Sequence, residues 1–122
     1  MNIALLDSEN INKLSKGMLE DVDRIYIFTA QCGNDIKISW PSDAKPIKLN
    51  FLKCHGGGKN NMDHHIMSFL GYSLAFKKVN RVRVISNDQD YGNIIHFWRG
   101  KGFSVEQYYS VANKASHNTH SY

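Results

Sequence analysis

Two short apolar runs in this chain each end in acids, and that repeated arrangement limits what it can fold into. Arg81-Val82-Arg83-Val84-Ile85 is followed by Ser86-Asn87-Asp88-Gln89-Asp90-Tyr91-Gly92, and Ile3-Ala4-Leu5-Leu6 by Asp7-Ser8-Glu9-Asn10. An apolar run of this length bounded by turn residues predicts a buried strand. In a parallel sheet both strands deliver their acids to the carboxyl edge, where open α/β folds place their sites. The pattern therefore predicts an acidic, metal-binding pocket at a sheet edge.

The rest of the chain supplies the alternation such a sheet needs. Strands are predicted over 1–6, 25–29, 47–52, 81–85 and 103–107. Lys48 and Asn50 face one side of the third, which suits a strand nearer the edge. Ile11, Leu14, Met18 and Leu19 recur at helical spacing after the first strand. A second helix is predicted over 61–78, with Ile66, Met67, Leu70 and Leu74 as its apolar stripe and Asp63 on that stripe. A third is predicted over 90–100, with Ile94, Ile95, Phe97 and Trp98 inward and Gly100 and Gly102 ending it. The segment 30–46 carries little helical signal; Ile36, Ile38 and Trp40 alternate like extended chain. The expected architecture is a single α/β domain over 1–122: a three-layer α/β/α sandwich with a mostly parallel central sheet and a polar tail over 110–122.

Composition bounds the function. The 122 residues are 42% hydrophobic, enough for one ordinary core. A net charge of +4 permits a polyanionic partner without demonstrating one. Cys32 and Cys54 do not make a disulfide framework, so a reduced, cytoplasmic setting is expected. The N-terminus lacks a basic region followed by an apolar stretch, so no secretory leader is expected. No apolar run approaches the roughly 18 residues that span a bilayer, so no membrane association is expected.

Asp7, Asp63, Asp88 and Asp90 fall at element junctions, with Glu9 close behind the first. Hard divalent cations prefer such oxygen ligands, and a bound cation activates water and stabilises charge on an attacked phosphate. Each acid alone has a simpler explanation, since an Asp at a helix start caps it and complements its dipole, worth about 0.5–2 kcal/mol. Asp63 is harder to explain that way, because a carboxylate aimed at a sheet needs a partner. Agreement among three separate junctions favours a site.

These residues carry a resemblance. Leu6-Asp7-Ser8-Glu9-Asn10-Ile11, Gly58-Lys59-Asn60-Asn61-Met62-Asp63 and Ile85-Ser86-Asn87-Asp88-Gln89-Asp90-Tyr91 resemble, in order, three motifs of the NYN group within the PIN-like nuclease superfamily. The likeness spans roughly residues 2–107, and the third motif is the most specific. It implies a PIN-like α/β/α fold and Mg²⁺- or Mn²⁺-dependent hydrolysis of RNA, leaving a 5′-phosphate and a 3′-hydroxyl. By position it carries the catalytic and metal-ligand roles to Asp7, Asp63, Asp88 and Asp90. Asn10 matches a residue that orients the first acid or touches substrate, Ser86 a supporting hydroxyl, and Tyr91 stands where Phe is more usual. Lys59 is placed to contact an RNA phosphate, and Tyr91 and Trp40 are the aromatics expected to stack on bases. Such domains often dimerise, and a homodimer and an inhibitory or guiding protein partner are the further associations considered.

Other features point elsewhere less well. Gly56-Gly57-Gly58-Lys59 is not a Walker A loop, because Asn60 stands where Ser or Thr would hold magnesium. Cys54-His55 and His64-His65 lack structural zinc spacing, and the histidines suit a partly exposed helix face. Lys77, Lys78, Arg81 and Arg83 make either a solvated surface or part of an RNA footprint. The rival functions are a non-catalytic RNA-binding or protein-interaction module on the same fold, and a phosphoacceptor receiver domain. The receiver would want an acid ending its third strand, where this chain has Lys53-Cys54-His55. A dinucleotide enzyme would want G-x-G-x-x-G after the first strand.

Overall fold

The computed structural model describes residues 1–30, 37–58 and 60–110. Five strands form one sheet: β1 (Asn2–Asp7), β2 (Arg24–Thr29), β3 (Lys48–Lys53), β4 (Arg81–Ile85) and β5 (Val105–Tyr108). All are parallel, in the order β3-β2-β1-β4-β5. Two helices complete the frame, α1 (Asn61–Leu74) and α2 (Tyr91–Gly100). The chain builds outward from β1 to β3, then crosses back to β4 and β5. Parallel connections are almost always right-handed, so that reversal must move the connections to the opposite face. The segments after β1 and β2 pack on one face, while α1 and α2 pack on the other.

Side-chain alternation along the strands divides the core accordingly. Ile3 and Leu5 of β1, with Val82 and Val84 of β4, meet Met62, Ile66, Leu70 and Leu74 of α1 and Tyr91 and Ile95 of α2. Ala4, Leu6, Ile25, Ile27 and Ile85 face Ile11, Leu14, Met18, Leu19 and Val22. Covered on both faces, β1 and β4 can be almost wholly apolar. Gly71 lets the helices meet: a Cβ there would lie 3.2 Å from the Trp98 ring.

The layer over the second face differs from the expected helix. Among the described residues it holds a single 3-10 turn (Lys16–Leu19) and extended chain. Leu14 N–H donates to the Ser39 carbonyl and Ser39 N–H to that of Asn12, so 12–14 is held as a one-residue parallel bridge rather than a helix. Ile11, Leu14, Met18 and Leu19 still point inward, because burial needs only an inward-facing sequence of side chains.

Arg83 corrects the reading of 77–83 as a basic surface. It is buried, its Nε donates to Glu106 Oε2 at 2.5 Å, and its Nη1 donates to the carbonyls of Met18 at 2.7 Å and Glu20 at 3.0 Å. The guanidinium thus ties β4 and β5 to the 3-10 turn. Shorter adjustments also occur. Helix α1 ends at Leu74 instead of 78, where Ala75 and Phe76 donate to carbonyls three residues back. On α2 Tyr91 and Ile95 are buried, Ile94 and Trp98 pack half-buried against the same core, and only Phe97 of the expected inward residues is exposed. Strand β3 does lie at the sheet edge, and Trp40 packs, half-buried, on the second core.

Candidate metal centre

The reversal of strand order puts β1 beside β4, and their carboxyl ends open the crevice in which ligands of such sheets bind. Asp7 ends β1 and is 4% exposed. Ser86 follows β4, fully buried, and its hydroxyl donates to Asp7 Oδ2 at 3.1 Å and accepts the Asp88 N–H at 3.1 Å. Asp88 Oδ1 in turn accepts the N–H of Asp90 at 2.9 Å, which closes the turn into α2. Asp63 arrives from the first turn of α1. One carboxylate oxygen from each of Asp63, Asp88 and Asp90 lies within 4.8 Å of the others.

Tyr91 joins the two halves of the site. Its ring is fully buried, and its hydroxyl lies 3.0 Å from Asp63 Oδ1 and 3.5 Å from Asp7 Oδ2. It therefore has no face open to a base and acts as a strut between the acids, which corrects its expected stacking role. Ser86 likewise is used within the protein and is not presented to a substrate. The Asn10 side-chain oxygen accepts the Asn87 N–H at 2.8 Å, and the Asn10 backbone N–H supports the Asp7 carboxylate. Lys59 lies outside the described residues.

Capping accounts for these acids only in part. Asp90 occupies the N-cap of α2 but makes no side-chain cap hydrogen bond. Among the described residues Asp63 caps no backbone N–H and instead meets Asp88 and Tyr91. Burial, followed by the hydrogen bond with Asp88, pushes the Asp63 carboxyl up to about 6. Burial, opposed by the Ser86 hydrogen bond, also raises Asp7. Carboxyls so placed must share protons or share a cation. Three hard oxygen donors converging from two elements, with two more acid-bound hydroxyls behind them, fit a divalent ion of the Mg²⁺ or Mn²⁺ type. Because the ion must displace protons, its affinity should fall as pH drops from about 7 through 6. Titrating Mn²⁺ calorimetrically at several pH values checks this.

Sequence reasoning missed what anchors the turn. Gln107 of β5 is buried, and its Nε2 donates to the carbonyls of Ser86 at 2.9 Å and Asp88 at 2.7 Å. Asn87 exchanges two hydrogen bonds with Ser110. The available signal was a glutamine two residues after Val105, hence on the same inward face of its strand. Gln107→Leu should leave both carbonyls unpartnered, cost about 1–3 kcal/mol in urea unfolding and weaken Mn²⁺ binding roughly 10–100-fold.

Fold and site together define a parallel α/β domain with an acidic centre at its topological switch point. The family profile described as PIN domain matches residues 1–108, and the chain belongs to that family, whose members are typically metal-dependent nucleases. No curated protein and no solved structure matches the chain. Among the described residues no helix is long and apolar enough to cross a membrane.

Proposed function

We propose that this PIN domain is a metal-dependent ribonuclease that hydrolyses RNA phosphodiester bonds to a 5′-phosphate and a 3′-hydroxyl. The observation that carries the reading is the convergence of Asp63, Asp88 and Asp90, from elements separated in sequence, on one point at the sheet's switch crevice. These three carboxylates would hold Mg²⁺ or Mn²⁺. A cation held by them would supply a water of lowered pKa and would stabilise charge developing on the phosphate. Asp7 lies behind them and contributes negative charge to the same centre, held by Ser86 and Tyr91. Asn10 and Asn87 brace the loops that carry Asp7 and Asp88. The NYN-type assignment rests on the three motifs, and the cytoplasmic setting on the reduced cysteine usage. Cys54 is free and buried.

The test is cleavage of labelled single-stranded and structured RNA in Mg²⁺, Mn²⁺ or excess EDTA, with Asp88→Asn beside the wild type. Cutting should require the metal and fall at least about 100-fold in the variant. Salt-sensitive RNA binding without cutting would instead assign the non-catalytic module.

A further inference from the structure

We propose that the free edge of β3 is a docking site for an extended, acidic segment of a protein partner, which pairs with it as an added strand. The inference goes beyond the nuclease reading and does not depend on it. Of the sheet's two outer strands, β5 has four residues, and its Val105 and Gln107 are buried. The other, β3, has six, and among the described residues only β2 pairs with it. The Lys48 N–H donates to the Asp23 carbonyl and the Cys54 N–H to that of Thr29. Alternate residues of a parallel strand turn their backbone groups the same way, so Lys48, Asn50 and Leu52 are committed to β2. Leu49, Phe51 and Lys53 turn theirs outward, a row of donors and acceptors that another strand can use.

The side chains on that edge suit a peptide strand. Leu49 is 45% exposed and Phe51 58%. They pair in register with Ile25 and Ile27, so they lie on the second face, where Ile38, Trp40 and Ile47 complete a groove of about 470 Å³. An incoming strand places alternate side chains on that face, and apolar ones would cover Leu49 and Phe51. Lys45, Lys48 and Lys53 border the edge; all are exposed, and among the described residues none lies within ion-pair distance of an acid. Glu20, Asp21 and Asp43 gather near Lys45, so Lys48 and Lys53, on the strand itself, carry the charge. No Asp or Glu occurs between Asp43 and Asp63 to offset them in the sequence. Lysines on an edge repel a second copy, which brings the same lysines, and admit a strand bearing acids. RNA would satisfy the lysines but offers no alternating donors and acceptors to the outward amides and carbonyls, so a peptide is the better match. A strand added there lies three strand spacings, roughly 14 Å, from β1. The partner therefore anchors the domain and leaves the crevice at Asp7 uncovered.

The experiment titrates a labelled peptide, valine alternating with threonine between pairs of glutamates, into the full chain. Fluorescence anisotropy gives Kd, and NMR amide hydrogen exchange is read on the saturated complex. The same peptide with lysine for glutamate, the same peptide N-methylated at alternate residues, and oligouridine serve as further probes. The acidic peptide should bind about tenfold or more tightly than either altered peptide. Phe51→Ala should raise its Kd about tenfold, and Lys48→Glu with Lys53→Glu should do so at low salt. Binding should slow exchange at the Leu49, Phe51 and Lys53 amides and leave those of Asn50 and Leu52, already bonded to β2, unchanged. The exchange reading needs no variant, so it holds whether or not a substituted chain folds. No binding of the acidic peptide, an equal Kd for its N-methylated form, or unchanged exchange at the three outward amides would overturn the proposal. So would oligouridine binding tighter than the peptide and weakened by the lysine variants, which gives the edge to RNA. A concentration-dependent dimer that Phe51→Ala dissolves would overturn it too, since the edge would then belong to a second copy.

Discussion

Asp63→Asn should raise the melting temperature of the metal-free protein at about pH 7.5 while abolishing both Mn²⁺-induced stabilisation and RNA cleavage. The reason is the carboxyl raised from 3.8 to about 6 by burial and by its neighbour Asp88. A carboxyl whose folded-state value lies above its unfolded one favours folding when protonated. Its contribution is fully present below about 3.8 and is lost as pH rises through about 6. At neutral pH the wild type therefore keeps like charges together in Asp63, Asp88 and Asp90, a cost that only a cation removes. Asparagine holds the shape without the charge, and its amide can donate to Asp88. The expected gain is a few degrees at about pH 7.5, shrinking toward zero as the pH approaches 4. With 1 metal ligand gone, cleavage should fall by at least about 100-fold. Scanning calorimetry across pH, with and without Mn²⁺, checks the stability half; the RNA assay checks the other. A variant less stable than wild type at every pH would show that Asp63 serves the fold instead of a charge-bearing site.

Arg83→Ala should cost the fold far more than any change among the acids. The guanidinium is buried and bonded to Glu106, Met18 and Glu20 at once, and it lies 5.8 Å from the Tyr108 ring centroid. Removing it strands two inward-facing carbonyls and leaves Glu106 without its cation. Breaking a buried pair by deleting one partner typically costs about 3–5 kcal/mol, which in a domain of this size is on the order of 10 °C or more in Tm. Glu106 is 34% exposed at its side chain, so Glu106→Gln should cost much less. Urea denaturation of both variants separates the carbonyl contacts from the ion pair. Because Arg83 ties the 3-10 turn to β4, its loss should also loosen the cover over Leu6 and Ile85, and hydrogen exchange should report faster opening there than under α1.

Much of this protein was legible in its residues, for reasons that are local. Apolar runs bounded by turn residues marked the strands, because strands covered on both faces tolerate little polarity. The stripe of Ile66, Leu70 and Leu74 marked α1, since only helical spacing puts those residues on one face. Acids at the ends of apolar runs marked the edge where Asp7, Asp63 and Asp88 come near one another, and the three motifs pointed to the family that the profile then matched. Helical spacing misled at 11–19, where a bridge to Ser39 claims the backbone bonds a helix would use. That competition involves a segment more than 20 residues away and leaves no trace in the spacing.

What tertiary structure alone decided is which polar groups face which. Asp63, Asp88 and Asp90 converge because β4 lies beside β1 and α1 packs over β1, a matter of strand order. Tyr91 reads as a surface aromatic until burial turns its ring inward and leaves only the hydroxyl to link Asp7 and Asp63. Gln107 and Arg83 read as an ordinary strand residue and a surface cation, yet each is enclosed and satisfied by carbonyls from other elements. Residue order sets local preference and periodicity. Partnerships between distant polar groups are chosen by packing, which removes water from around them and makes a partner obligatory.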